Sequence, residues 1–257
     1  FRLIPERWAR ALSGGSTGGW EALALQLFYP EVFGGVWAWC PDPVDFHAYQ
    51  LVDLYGDENA YEHRTGWIRV ERPARREVDG EVVYTIRQEN AYERALGPRG
   101  ESGGQWAVWE AVFGPVGDDG YPARIWDPVT GRVRRDVALY WRAHFDLAEY
   151  LRRRWREIGP LLAGRIHVTV GEADDYYLDG AVRRLEAVLD SLRDPPAGAR
   201  FEYGPRQPHC WIGESRERPG TELTYAEFVR IAAETIARRA PAARAAAARP
   251  IRRRVAG

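Results

Sequence analysis

Gly14-Gly15-Ser16-Thr17-Gly18 sets a serine between glycines two positions before and two positions after it, in the pattern G-x-S-x-G. A serine hydroxyl is a weak nucleophile until a base takes its proton, and a tight strand-to-helix turn exposes it to base and substrate together. Small neighbours allow that turn to close, and the first amide of the following helix, here Thr17, can hold a developing oxyanion. A glycine-rich turn without chemistry has the same composition, so the reading depends on an acid and a histidine further along, in that order. Asp174 and Asp175 stand together in "VGEADDYYL", directly after an apolar run, and either can orient an imidazole. Among the five histidines, His47 and His63 come too early, His144 falls on an expected helix and His167 inside an expected strand. His209, in the loop "GPRQPHCW" after the last expected strand, fits the order.

These residues need elements that end beside them. Residues 8–12 read as a short strand, 18–28 as an apolar helix stopped at Pro30, and 35–40 ("GVWAWC") as a strand buried on both faces. Residues 46–137 lose this rhythm: they carry a hairpin signal at Asp79-Gly80 and turn-rich stretches with Trp106, Trp109 and Trp126, and read as an insertion or cap. The rhythm returns with one long amphipathic helix over 136–158, a strand over 165–171, a helix carrying Val182, Leu185, Leu189 and Leu192, and a strand over 199–203. Thr224 and Glu227 form a capping box for a last helix. The expected class is α/β, with residues 1–240 as one catalytic domain and 241–257 as an Ala/Arg-rich tail without fixed structure.

Composition narrows the partners. Of 257 residues, 45% are hydrophobic and 28% charged, as in an ordinary globular chain, and a net charge of −1 excludes a globally basic nucleic-acid binder. Lysine is absent, so all 36 basic residues are arginine, a compositional bias. No apolar run is long enough to span a bilayer. Cys40 and Cys210 alone make neither a disulfide scaffold nor a zinc module; two buried thiols are the simplest reading and one bridge the rarer one. Histidine, cysteine and acid spacing suggests no metal site, "GGSTGG" lacks the Gly-Lys-Ser/Thr ending of a phosphate loop, and no cofactor is called for. Trp39, Tyr176 and Trp211 flank the motifs and are candidates for a substrate wall, although core packing would use them equally well.

"LSGGSTGGWEALALQLFYPEVFGGVWAWCPDP" resembles the elbow, helix and following strand of the esterase D (feruloyl esterase-like) family of α/β-hydrolases. "VGEADDYYL" is similar to that family's acid turn, which gives Asp174 the catalytic place, and "GPRQPHCW" to its histidine loop, with Pro208 where glycine is common. The resemblance implies a serine carboxylic-ester hydrolase that uses Ser16, His209 and Asp174, with Thr17 as one oxyanion donor, on a small-molecule or carbohydrate-linked ester. An acyltransferase, a peptidase or a non-catalytic binding protein would keep the same scaffold. About four strands precede the elbow in that family, so the chain, which starts without Met, reads as the C-terminal part of the sheet, with an exposed edge and an unassigned compartment. Feruloyl esterase and tannase-type enzymes join a cysteine beside the serine to one beside the histidine. Here Cys210 fits, Gly15 takes the other place, and Cys40 ends the next strand.

Overall fold

Small and apolar residues that pack on both faces build the first part of the computed structural model, which describes residues 4–241. A 3-10 turn at Arg7–Ala9 leads into β1 (Ala11–Gly15), α1 (Thr17–Phe28) and β2 (Gly35–Trp39). The first strand therefore lies three residues later than sequence alone suggests. Ser13, Gly14 and Gly15 have little intrinsic strand preference, but they pair in register with Trp37, Ala38 and Trp39, and tertiary pairing overrides propensity.

The insertion contains β3 (Glu62–Thr65) and β4 (Ile68–Glu71), paired antiparallel, then the hairpin of β5 (Pro73–Arg76) and β6 (Val82–Thr85) around Asp79-Gly80. Two helices follow that the sequence reading lacked: α2 (Ile86–Leu96) and α3 (Gln105–Phe113). Their start signals are chemical. Thr85 and Gln88 form a reciprocal capping box, and Glu93 accepts from the backbone N–H groups of Trp106 and Ala107 at the first turn of α3.

The expected single helix over 136–158 is two, α4 (Arg135–His144) and α5 (Leu147–Leu162). Asp146 starts the second by accepting from the Glu149 amide at 2.8 Å, and its other carboxylate oxygen accepts from the Phe46 amide and the Tyr55 hydroxyl. Pro160 lies inside α5 rather than ending it. The chain closes with β7 (Ile166–Gly171), α6 (Asp179–Ser191), β8 (Arg200–Gly204) and α7 (Tyr225–Arg238). The Ala/Arg tail lies, from residue 242, outside the described residues.

The four strands β1, β2, β7 and β8 form one parallel sheet in that order, with β1 and β8 at its edges. Parallel strands need helical crossovers, and both faces are covered, as in an α/β architecture. Alternation along β2 sorts its side chains: Val36 and Ala38 join the main core, whereas Trp37 joins Phe228 and Ala232 of α7, with Trp39 packed alongside. The main core runs without a break into the insertion, because Trp20 of α1 meets Phe113 of α3 at 4.9 Å and Tyr49 touches Trp106, Trp109, Trp126 and Trp141. No helix among the described residues is long and apolar enough to cross a membrane.

Candidate active site

Each parallel strand delivers one loop to the carboxyl end of the sheet, where α/β folds place their ligands. Ser16 follows β1, Asp42 follows β2, Asp174 follows β7 and His209 follows β8. Ser16 has φ 55° and ψ −125°, a conformation that an L-residue rarely adopts, and its amide is tied to the Trp39 carbonyl at 3.1 Å. The glycines that permit this turn are only partly the expected ones. A Cβ on Gly14 would stand 2.1 Å from the Gly18 carbonyl oxygen, and one on Gly15 2.0 Å from Trp39 Nε1, whereas one on Gly18 meets nothing within 4 Å.

Ser16 Oγ lies 3.0 Å from His209 Nε2, and His209 Nδ1 lies 2.8 Å from Asp174 Oδ2. With Nδ1–H donating to the carboxylate, Nε2 is left as the acceptor of the serine proton. Asp174 is fully buried, and its other oxygen accepts from the Tyr176 and Leu178 amides. Asp175 has a different partner: its carboxylate accepts from the backbone N–H of His209 at 3.0 Å. The acid turn is also held from the insertion, where Arg76 of β5 donates to the Asp174 carbonyl and its own amide to that of Asp175. Thr17 opens α1, so its amide belongs to the first turn that has no intrahelical acceptor.

Burial opposes a charge on His209, but the Asp174 hydrogen bond and the neighbouring charges of Asp174 and Cys210 push the imidazole up to about 10. The two thiols meet here, with Cys40 Sγ 2.7 Å from Cys210 Sγ. Hydrogen bonding from Cys40, and His209 after it, lowers the Cys210 thiol, while burial pushes Cys40 up. Although spacing along the chain suggested no metal set, the fold gathers ligand atoms of Cys40, His209 and Cys210 within 4.8 Å of one another. Both His209 nitrogens are already engaged by Asp174 and Ser16, so an ion would have to displace one of them.

A cavity of about 220 Å³ opens over Ser16 and His209. Tyr176 lines it and meets His209 edge-on at 4.9 Å. Trp39 and Trp211, the other two candidates for a substrate wall, do not line it. Trp39 lies beneath the elbow against Phe228, and Trp211 is buried with its ring against Gly204. Their places go instead to insertion residues, Gln50, Tyr84, Glu89, Gln105 and Trp109, and to Asp42. Asp42 is the most informative omission. Its carboxylate accepts from the Thr17 hydroxyl at 2.7 Å and the Trp109 indole at 2.8 Å, and it lies 3.3 Å from Ser16 Oγ. Its sequence signal was available, since it stands at the carboxyl end of a parallel strand as the others do.

No protein-family model matches the chain, and no curated protein does. Among solved structures it is similar to a monoacylglycerol lipase of Paleococcus ferrophilus, at 15% identity and a TM-score of 0.34 over 88% of this chain and 67% of that one. It is also similar to a peroxisomal α/β-hydrolase of Saccharomyces cerevisiae, at 12% identity and a TM-score of 0.30, over 87% of this chain and 59% of that one. A likeness this distant says nothing of substrate or reaction.

Proposed function

We propose that this chain carries the catalytic apparatus of a serine carboxylic-ester hydrolase of the α/β-hydrolase type, as its esterase D-like motifs imply. One observation supports this above all: the relay from Ser16 Oγ through His209 to Asp174, at 3.0 and 2.8 Å, with the serine held at φ 55°. In this reading His209 takes the Ser16 proton as Oγ attacks the ester carbonyl, and returns it to the leaving alcohol. Asp174 fixes the tautomer and stabilises the imidazolium, and the Thr17 amide donates to the oxyanion. Water, activated by the same histidine, then releases the acid from the acyl-enzyme. No cofactor takes part.

A fluorophosphonate probe tests the reading. Expected is covalent labelling at Ser16, located by mass spectrometry and lost in Ser16→Ala. Asp174→Asn should slow labelling by about 10³-fold or more, because it leaves the wrong tautomer. Asp175→Asn, whose side chain meets the His209 backbone and Arg75 but not the imidazole, should slow it far less. A folded protein that takes no label at Ser16 would overturn the proposal.

A further inference from the structure

The cavity over Ser16 has a charge character that ester hydrolysis alone does not call for. Two carboxyl groups, Asp42 and Glu89, line it together with the single imidazole of His209, and among the described residues no arginine does. Buried acids elsewhere among the described residues have clear partners. Asp45 and Glu110 reach Arg184 and Arg124, and Asp146 and Glu93 take backbone amides at helix starts. Asp42 and Glu89 have neither an arginine nor a backbone amide, and the one cationic group that bears on Asp42 is His209. Their donors are uncharged side chains: the Thr17 hydroxyl, the Gln105 amide and the Trp109 indole for Asp42, and the Trp106 indole at 2.6 Å for Glu89. Arg75, whose charge bears on the cavity tyrosines Tyr84 and Tyr176, faces Glu77 and Asp175.

An independent feature points the same way. Gln50 is only 4% exposed, lines the cavity, and is held at φ 52°, yet its Oε1 has no hydrogen-bond partner. A buried acceptor left empty costs free energy that a donor-bearing ligand would recover. The cavity thus offers two carboxyl groups, with Gln50 in its lining and the rings of Trp109, Tyr84 and Tyr176 around them. Such a set suits a cationic nitrogen, which is donor-only and is attracted by aromatic faces.

We propose that the cavity receives an ester or amide carrying a protonated amine within a few bonds of its scissile carbonyl. The placement follows from Asp42, whose Oδ1 is 3.3 Å from the nucleophilic oxygen. Burial raises Asp42 and pushes Glu89 up to about 7, and a bound cation would favour the charged form of both. The identification of the amine as part of a substrate rests on the hydrolase reading above, but the binding site itself does not.

Calorimetric titration of the Ser16→Ala protein with L-alaninamide and with propionamide, its isostere without the amine, separates the two. L-Alaninamide is expected to bind at least about tenfold more tightly. Glu89→Gln and Asp42→Asn, each shown to be folded by circular dichroism, should each shrink that ratio severalfold. Equal affinities, no binding of either amide, or a ratio that neither variant changes would overturn the proposal, as would tighter binding of glucose than of L-alaninamide. Because this titration needs no turnover, a failure of Ser16 to take the fluorophosphonate sinks the hydrolase reading separately.

Discussion

His209 must be neutral to accept the Ser16 proton, yet its surroundings favour the imidazolium. Asp174 and Cys210 together outweigh burial and carry it from an ordinary 6.5 up to about 10. A group that is inactive when protonated puts its pKa on the acid limb of the rate profile, so kcat/KM should climb with pH and level only in the alkaline range. Cys210 supplies part of the upward push, so Cys210→Ser should move this limb to lower pH when kcat/KM is followed across pH. A limb that stays in place would assign the whole effect to Asp174. Residue chemistry of this kind was partly legible in advance. Ser16 and His209 each stand in a loop with its own turn residues, and the choice between Asp174 and Asp175 came from family resemblance. Their side chains in fact take different partners, the ring and the backbone of one histidine.

At the scale of elements, the elbow is set by two close approaches and not by the symmetry of its motif. Gly14 faces the backbone of Gly18, and Gly15 faces the Trp39 indole, so neither has room for a methyl group. Gly18 opens onto empty space at a helix start. Gly14→Ala is therefore expected to lower stability by about 2 kcal/mol or more. Gly18→Ala should leave it unchanged or raise it by up to about 1 kcal/mol, through reduced freedom of the unfolded chain. Urea unfolding of both variants measures this, and equal losses would contradict the geometry. The helix break at Phe145-Asp146 belongs to the same scale. Asp146 with Glu149 three residues later is a start signal, but the apolar period continues through it at Ala148 and Leu151, which conceals the stop.

Across the whole molecule, the insertion is part of the hydrophobic core that backs the sheet. Phe113 contacts Trp20 of α1, the helix after Ser16, and also Phe46, Trp141 and Phe145. Arg76 ties the β5–β6 hairpin to the acid turn. Shared burial couples these parts, so far-ultraviolet circular dichroism and tryptophan fluorescence should report one coincident unfolding transition. Two separated transitions would mean that the insertion folds as a unit of its own. Among the described residues the edge strand β1 pairs on one side only.

Local chemistry sufficed for the sequence to determine the α/β alternation, the elbow motif and the chain order of serine, acid and histidine. Turn residues, caps and apolar periods act over a few positions and can be read there. Only the tertiary structure decided which side chains face the cavity. Trp39 and Trp211 turn into the core because β2 alternates and Gly204 leaves a space for a ring. Asp42, Gln50, Glu89 and Trp109 meet above Ser16 although they are separated by up to 67 residues. No short-range rule links positions so far apart. Their meeting is fixed by how the aromatic insertion packs on α1, and that packing is a property of the assembled core.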